Sequence, residues 1–412
     1  MHRRALLEGA FGAAVAACKR PEAIIDALPE RPMGRIVVIA AGKGAVPMAQ
    51  AVEAHWSDVT GLAVTRTGYG GPLTSIELVE ARHPVPDEAG ARAAERCLAL
   101  AEGLGEGDLL LVLLSGGASA LLAAPQPPLT LAAKQALTSA LLKSGASIGE
   151  INCVRRHLSR IKGGRLAAAA FPAQVVTLAV SDVVGDVPQD IGSGPSVGDA
   201  TSVADAQAVL ARYGIADPAE SLGAWSESVK PGDPVLARSS FAVVVRPIDA
   251  LAAASRFLED QGYEPRLLDA EATGEAREVA RRHAELAMLA RQEGRPIALL
   301  SGGELTVTVT GSGTGGPNQE YALALARGIA GEAGIAALAA DTDGVDGNCD
   351  VAGAFIDGDT VNDLGDASID PAQALANNDA GGALGEIGAL FVPGPTQTNV
   401  NDLRIILVDP RA

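Results

Sequence analysis

Aromatic residues are scarce in this sequence, and basic residues are outnumbered by acidic ones. Phe, Trp and Tyr make up 3% of the 412 residues, which poorly suits a platform on which nucleic-acid bases stack. There are 50 acidic and 32 basic residues, and the resulting net charge of −18 repels phosphate backbones and anionic lipids. We therefore expect neither nucleic acid nor a membrane surface as a partner.

Cysteines are few and long apolar runs are missing. The four cysteines lie far apart and form no Cys-x-x-Cys motif, so a zinc, iron–sulfur or disulfide framework has no support. Residues 3–18 resemble a signal peptide, but Glu8 interrupts them and the apolar positions follow helical spacing, which favours an amphipathic helix. No other window approaches the roughly 18 apolar residues of a membrane span. The sequence thus predicts a cytoplasmic protein with reduced thiols.

Three common catalytic motifs are absent. The P-loop pattern GxxxxGK[ST] and the hydrolase pattern GxSxG do not occur, and the chain has only five histidines. The dinucleotide pattern GxGxxG begins at Gly42 and Gly44 but meets Pro47 instead of the third glycine. ATP, if used, is bound without a P-loop, and no nicotinamide site is found.

Short, continuously apolar runs alternate with helical stretches along the whole chain. This alternation is typical of a doubly wound α/β fold with a mainly parallel sheet. An alternating segment, 304–311, predicts a half-exposed strand and hence a mixed sheet in the last third. Pro, Gly, Asp and Ser cluster between Tyr213 and Phe241, so we divide the chain into domains 1–230 and 231–412. The predicted strands are Ile36–Ala41, Leu109–Leu114, Val175–Val180, Phe241–Val245, Ile297–Leu300, Ile335–Ala340 and Leu403–Val408.

Glycine is abundant, and it clusters where predicted strands end. Leu-Leu-Ser-Gly-Gly occurs at 113–117 and again at 299–303, each time at the expected carboxyl edge of a sheet, where α/β proteins bind ligands. The loop 311–316 holds four glycines before a helix, which suits a cradle of N–H groups for phosphate. Ordinary tight turns and a flexible hairpin are the alternatives.

Charged residues inside such loops are the candidates for chemistry. Lys43 lies in a strand–Gly-Lys-Gly–helix turn, where it meets an anion unless it is simply solvated. Aspartates concentrate in segments 181–190 and 341–347, where they suit Mg²⁺, with a calcium loop or Asx-turns as alternatives. Segment 150–166 gathers basic residues into either a cationic pocket or a solvated helix face.

These blocks together resemble the glycerate 2-kinases with a C-terminal MOFRL domain, some of which carry the label hydroxypyruvate reductase. The resemblance implies a Rossmann-like N-terminal domain, a smaller mixed α/β domain, and an active site in the cleft between them. It also implies ATP, Mg²⁺ and phosphorylation of D-glycerate to 2-phosphoglycerate. The matching blocks are 41–44, 115–119, 152–166, 181–183, 192–195, 301–304, 318–320, 341–344 and 398–402.

On this resemblance we assign roles for an in-line phosphoryl transfer. Lys43, Asp182 and Asp186 are the catalytic candidates, with either aspartate as base or Mg²⁺ ligand. Asp341 and Asp343 are further metal candidates. Arg156 and Lys162 are candidates for the substrate carboxylate. The nucleotide-binding candidates are Ser115, Gly116, Gly117, Ser301, Gly302, Gly303, Glu304, Gly313, Gly315, Gly316 and Asn318.

Two positions depart from the family pattern. Pro317 stands where many members have arginine, and Val187 where they commonly have aspartate. The exact hydroxy acid therefore stays open, with a related sugar acid as an alternative substrate. An NAD(P)H-dependent hydroxypyruvate reductase and a non-catalytic sugar-acid binding protein are the alternative functions. The oligomeric state is also open, with a homodimer as one alternative.

Overall fold

The computed structural model describes residues 3–347 and 349–411, which fold into two compact units. The N-unit is Lys19–Val245, and the C-unit combines Met1–Cys18 with Arg246–Ala412. The division at Val245 falls later than the predicted boundary at residue 230, because the strand ending at Val245 completes the N-unit sheet.

The N-unit is built on a six-stranded parallel sheet in the order β3-β2-β1-β4-β5-β6. This is the strand order of dinucleotide-binding α/β folds. The central strands β1 and β4 are buried along their whole length, as their continuous apolar sequences predict. The strands are β1 (Ile36–Ala41), β2 (Thr60–Arg66), β3 (Ile76–Ala81), β4 (Leu109–Leu114), β5 (Gln174–Val180) and β6 (Ser239–Val245).

Helices of the N-unit pack on the sheet and also form a core of their own. Capping boxes at Ser147–Glu150 and Ser202–Asp205 fix the starts of two of them. Their separate apolar cluster includes Leu137, Leu141 and Leu210. The helices are α2 (Pro21–Ile25), α3 (Ala45–His55), α4 (Glu88–Glu102), α5 (Ala118–Leu121), α6 (Leu131–Lys143), α7 (Ile148–His157), α8 (Arg165–Ala170), α9 (Val203–Arg212) and α10 (Pro218–Leu222).

The C-unit has a mixed six-stranded sheet in the order β11-β10-β9-β12-β8-β7. β12 runs antiparallel to both of its neighbours, whereas β7 and β8 are parallel. The predicted strand at 304–311 is wrong: this segment is a loop with a single bridge from Thr306 to Glu275. The strands are β7 (Glu264–Ala272), β8 (Ile297–Gly303), β9 (Ile335–Asp341), β10 (Gly353–Asp357), β11 (Leu390–Phe391) and β12 (Asp402–Val408).

The first helix of the chain, α1 (Arg3–Cys18), belongs to the C-unit through its apolar face. The rings of Phe11 and Phe391 meet edge to face with centroids 4.9 Å apart. No helix among the described residues combines the length and hydropathy that a membrane crossing needs. The other helices are α11 (Pro247–Asp260), α12 (Ala276–Arg291), α13 (Pro317–Gly328), α14 (Thr360–Asp366), α15 (Pro371–Ala376) and α16 (Ala380–Glu386).

Candidate functional site

The loops that follow β1 and β4 are joined at the carboxyl edge of the N-unit sheet. The Lys43 N–H donates to the carbonyl of Gly116 at 2.8 Å, and the Gly44 N–H donates to Ser115 Oγ at 2.8 Å. Gly42 has φ +125°, and a Cβ there would lie 2.2 Å from Ser115 Oγ, so only glycine fits. The strand order reverses between β1 and β4, which is where open α/β sheets bind ligands.

The side chain of Lys43 is buried, so the alternative of a solvated loop lysine is wrong. His83, which the sequence prediction missed, lies nearby: a Cβ on Gly117 would be 3.1 Å from its ring. Burial lowers the pKa of this imidazole to about 3, and the positive charges of Lys43, Arg66 and Arg155 contribute to the same direction. The ring is therefore neutral at pH 7, and this part of the edge is dominated by cations.

Asp182 and Asp186 follow β5 and are half-buried. The turn is tight: Gly185 and Asp186 both have positive φ, 76° and 52°, a conformation that aspartate tolerates better than most residues. Because β5 is parallel to β4 and adjacent to it, its carboxyl end emerges at the same edge as the loop of Lys43. The structure thus places all three predicted catalytic residues along one sheet edge.

The two predicted substrate cations have different surroundings. Arg156 lies 3.3 Å from Asp190 and 3.0 Å from Asp199, so its charge is matched within the N-unit. Lys162 is buried and donates to the carbonyl of Ser119 at 2.7 Å. Among the described residues no carboxylate pairs with Lys162. Lys162 is consequently the better candidate for an anionic ligand.

A chain of hydrogen bonds fixes this basic segment to the loop after β4. The hydroxyls of Ser119 and Ser193 lie 2.7 Å apart, and Ser193 donates to Asn152 Oδ1 at 2.9 Å. Asn152 in turn donates to Asp190 Oδ1 at 3.1 Å. Three sequence blocks that are distant along the chain are therefore held together in the N-unit.

In the C-unit, Ser301, Gly302 and Gly303 are the buried last residues of β8 rather than a free loop. Gly303 has φ +84°, and a Cβ there would lie 2.3 Å from a backbone nitrogen of β7. The guanidinium of Arg404 donates to the carbonyl of Gly302 at 2.7 Å. Glu304, just beyond the strand, is exposed. These glycines thus serve close packing between strands.

The start of α13 holds a buried network that the sequence prediction missed. Asp346 accepts the backbone N–H of Asn318 at 3.0 Å and both the backbone and side-chain N–H of Gln319 at 2.9 Å. Asn318 also donates to Asp402 at 2.6 Å, and Asp402 pairs with Arg404. A carboxylate at a helix N-terminus is favoured by the helix dipole, but Asp346 lies 28 positions after Asn318, so no local sequence pattern pointed to the pairing.

In both network carboxyls, burial and the neighbouring donors shift the pKa in opposite directions. Burial raises the pKa of Asp346 to about 7, while the N–H donors of Asn318 and Gln319 act to lower it. Burial also raises the pKa of Asp402, against the lowering effect of Arg404. The carboxyls of Asp346 and Asp402 are therefore poorly solvated, and a nearby cation would lower their pKa.

Asp341 and Asp343 lie at the end of β9 and form Asx-turns. Asp341 accepts the N–H of Asp343 at 2.9 Å, and Asp343 accepts the N–H of Val345 at 2.7 Å. Within the described residues, no set of three or more His, Cys, Asp or Glu side chains is arranged to hold a metal ion. A Mg²⁺ bound by this pair would take its other ligands from phosphate oxygens and water.

The glycine-rich loop before α13 is held by its own unit. The N–H groups of residues 310–314 donate to segment 377–379 at 2.8–3.1 Å. A Cβ on either of the first two loop glycines would lie 2.2 Å from that segment, so the predicted row of free N–H groups is wrong here. Gly315 and Gly316 follow and lead into α13, where Pro317 is the first helical residue as predicted.

Comparison with known sequences gives two family matches that divide along the chain. Residues 6–225 match a family described as a domain of unknown function, DUF4147. Residues 297–402 match the MOFRL family. The first match covers the loops of Lys43, Ser115 and Asp182, and the second covers the β8, α13 and β9 segments described above.

Named relatives and solved structures align along nearly the whole chain. A protein of Agrobacterium vitis with a provisional hydroxypyruvate reductase name is 47% identical over 98% of this chain and 94% of its own length. The D-glycerate 2-kinase of Thermotoga maritima is 41% identical over 94% of each chain. The crystal structure of a glycerate kinase from that organism superposes with a TM-score of 0.86, at 39% identity and 98% coverage of both chains. A protein of Pyrococcus horikoshii superposes with a TM-score of 0.79, at 34% identity, covering 100% of this chain and 99% of its own.

Proposed function

Because this chain belongs to the glycerate 2-kinase family, in which a DUF4147 region is followed by a MOFRL region, we propose that it phosphorylates the 2-hydroxyl of D-glycerate with ATP. The observation that carries the proposal is the position of Lys43. It is a buried cation in a loop hydrogen-bonded to the loop after β4, where the strand order reverses. Such a place binds anionic ligands in α/β folds.

The reaction is an in-line transfer governed by positioning and charge. The substrate hydroxyl oxygen forms a bond to the γ-phosphorus while the bond to the β–γ bridging oxygen breaks, and ADP leaves with that electron pair. We assign Lys43 to neutralise charge on the migrating phosphoryl group. The hydroxyl proton passes to Asp182 or Asp186, and the other aspartate is a metal-ligand candidate.

Mg²⁺ and ATP fit the donors at the carboxyl edge of the C-unit. Asp341 and Asp343 would offer hard carboxylate oxygens, and Mg²⁺ prefers a few such ligands combined with phosphate oxygens and water. When bound, the ion supplies charge neutralisation for the phosphates. Gly315 and Gly316 remain our phosphate-binding candidates in the loop before α13. The other nucleotide candidates are Ser115, Gly116, Gly117, Ser301, Gly302, Gly303, Glu304, Gly313 and Asn318, of which Asn318 is engaged with Asp346.

The second candidate function is hydroxypyruvate reduction, favoured by the name of the Agrobacterium vitis relative. It requires a nicotinamide site, and the loop after β1 has Pro47 where the dinucleotide fingerprint needs its third glycine. The kinase is therefore the better-supported function. The departures at Pro317 and Val187 leave related sugar acids as alternative substrates for the same chemistry.

A two-arm assay decides between these functions. The first arm couples ADP release to absorbance with Mg-ATP and D-glycerate, and identifies the product as the 2- or 3-phosphate. The second arm follows NADH and NADPH absorbance with hydroxypyruvate. We expect 2-phosphoglycerate in the first arm and no cofactor oxidation in the second. Steady cofactor oxidation without ADP release would overturn the kinase, and D-glycerate binding by calorimetry without either activity would identify a non-catalytic binding protein.

The surroundings that suit this function are those of the cytoplasm, where ATP is available. All four cysteines are free thiols, three of them buried, as expected for a reducing compartment. We therefore place the enzyme there, with a nucleotide and a small hydroxy acid as its partners.

A further inference from the structure

Three cations of the N-unit line one crevice without a matching negative charge. Lys134 of α6, Arg155 of α7 and Lys162 border it together with Ser119 and Thr138. Lys134 and Lys162 are 5% and 1% exposed. Among the described residues none of the three forms an ion pair with a carboxylate. Their only hydrogen bonds go to neutral oxygens.

Each lysine ammonium uses a single acceptor. Lys134 donates to the carbonyl of Leu158 at 2.8 Å, and Lys162 donates to the carbonyl of Ser119 at 2.7 Å. An ammonium carries three N–H groups, so each has unused donor capacity directed around the crevice. Unpaired charges at this depth are expensive, because burial removes them from water without an opposite charge to compensate.

The cations also destabilise one another. Burial, and then the charges of Arg155 and Arg165, lower the pKa of Lys134 to about 7. Burial, and then Lys134 and Arg155, lower the pKa of Lys162 well below its usual value. Burial alone lowers the pKa of Arg155 to about 10. The charged groups that lower these pKa values, Lys134, Arg155 and Arg165, are all basic, and a bound anion would favour the protonated form of both lysines.

Arg156, the next residue along α7, is the internal comparison. Arg156 is as buried as Lys134 and Lys162, but Asp190 and Asp199 neutralise its charge. The fold therefore has the means to pair a buried cation in this segment, and leaves Lys134, Arg155 and Lys162 unpaired. Clusters of uncompensated charge are typical of binding sites rather than of structural cores.

The crevice between these basic side chains is small. Its free volume is about 10 Å³, close to the space of one water molecule. The space admits one ligand oxygen between the basic groups, and the carboxylate is the anionic group that D-glycerate brings to the site. Pro84, Pro86, Ala120 and Ala123 complete the lining of the crevice.

We propose that Lys134, Arg155 and Lys162 form the subsite that binds the carboxylate of the hydroxy acid and sets the requirement for an acidic substrate. Lys134 and Arg155 are new to the site, since the sequence pointed only to Lys162 and to the paired Arg156. The proposal rests on the proposed function and names the residues that select its substrate class.

The test compares Lys134→Met and Arg155→Met with Lys143→Met, an exposed lysine on the same helix α6 as Lys134. Loss of one charge-assisted hydrogen bond should raise KM for D-glycerate about 10- to 100-fold. KM for ATP should stay unchanged in all three variants. The wild-type preference for D-glycerate over its neutral amide should shrink in the two crevice variants and persist in Lys143→Met.

Thermal melting distinguishes a ligand-binding role of these side chains from a merely structural one. Replacing Lys134 or Arg155, basic groups that no carboxylate compensates, should leave the melting temperature of the free protein equal or higher, while the rise caused by added D-glycerate shrinks. Lower melting temperatures with unchanged KM for D-glycerate would overturn the proposal while leaving the kinase intact. If the wild type releases no ADP, the proposed function fails instead, and the D-glycerate-dependent rise in melting temperature still tests the subsite.

Discussion

The ends of strands β4 and β8 both carry the sequence Leu-Leu-Ser-Gly-Gly, yet the charged side chains at the two sheet edges differ: the N-unit edge combines a buried lysine with Asp182 and Asp186, whereas the C-unit edge is mainly acidic. In the N-unit, Lys43 and a neutral His83 lie beside the loop of Ser115, and Asp182 and Asp186 follow the neighbouring strand β5. In the C-unit, the edge beside Ser301 carries the carboxyls of Asp341, Asp343, Asp346 and Asp402, with Arg404 as the cation. The same backbone motif therefore supports two electrostatic environments.

This difference indicates that the strand-end glycines allow close backbone packing. The charged side chains around them determine which ligand is attracted. Gly42 and Gly303 each adopt a positive φ where a Cβ would collide with a neighbouring strand or loop. Basic side chains attract the carboxylate and phosphoryl groups of a substrate, whereas an acidic edge attracts a metal–nucleotide complex. The two charge patterns match the two halves of a phosphoryl transfer.

The largest effect is expected where the acidic edge loses its internal cation. Arg404→Met leaves Asp402 buried without its partner, which should lower the free energy of unfolding by about 3–5 kcal/mol. Urea denaturation followed by circular dichroism measures this loss. Arg266→Met, which removes an arginine that pairs with Glu293 on the surface, is the matched control and should change stability far less. A loss no larger than that of the control would mean that Asp402 is neutral in the folded protein.

On the N-unit edge, the sharpest change is Lys43→Met. If the ammonium neutralises the migrating phosphoryl group, kcat should fall about 100- to 1000-fold, as expected for loss of one preorganised donor. Lys43→Arg should restore only part of the rate, because a planar guanidinium replaces a compact charge. Steady-state kinetics at saturating substrates measures both variants. A folded Lys43→Met enzyme with near-normal kcat would remove Lys43 from the chemistry.

A further effect should appear in the pH dependence of stability. The pKa of Asp346 is raised from 3.8 to about 7, so the folded state holds its proton more tightly than the unfolded state. Its contribution is complete below about pH 4 and is lost as pH rises through about 7. A one-unit difference between folded and unfolded pKa is worth about 1.4 kcal/mol. Urea denaturation between pH 4 and 8 should show a flatter slope for Asp346→Asn than for the wild type, and parallel slopes would contradict the raised pKa.

Much of the fold followed from local sequence patterns. The continuously apolar strands β1, β4, β5, β8 and β9 were predicted nearly to their ends, because strands buried on both faces carry an unambiguous pattern. The strands β2, β3, β7 and β10 were missed because they are interrupted by glycine, proline or charged residues. β7, for example, contains Pro265 and Asp269, and only its pairing with β8 makes it a strand.

The site was harder to predict, since its key features are distances between remote segments. The motif around Lys43 was visible locally, and the structure places that residue at the edge of the N-unit sheet. The ion pair of Arg156 with Asp199 joins α7 to the loop before α9, and the crevice of Lys134 and Arg155 forms where α6 packs against α7. Likewise, the loop 311–316 resembles a phosphate cradle in sequence. In the structure, however, the N–H groups of residues 311–314 donate to segment 377–379.

The central claim is that basic residues of the N-unit hold the carboxylate of the hydroxy acid and that aspartates of the C-unit hold the metal of the nucleotide. Calorimetric titration of two variants with two ligands tests it most directly. Lys162→Met keeps the aliphatic stem and removes the charge, and Asp343→Asn keeps the oxygen that accepts the Val345 N–H. Lys162→Met should weaken D-glycerate binding about 10- to 100-fold and leave Mg-ADP binding unchanged, whereas Asp343→Asn should weaken only Mg-ADP binding. Loss of both ligands in either folded variant, or the reverse assignment, would contradict the account.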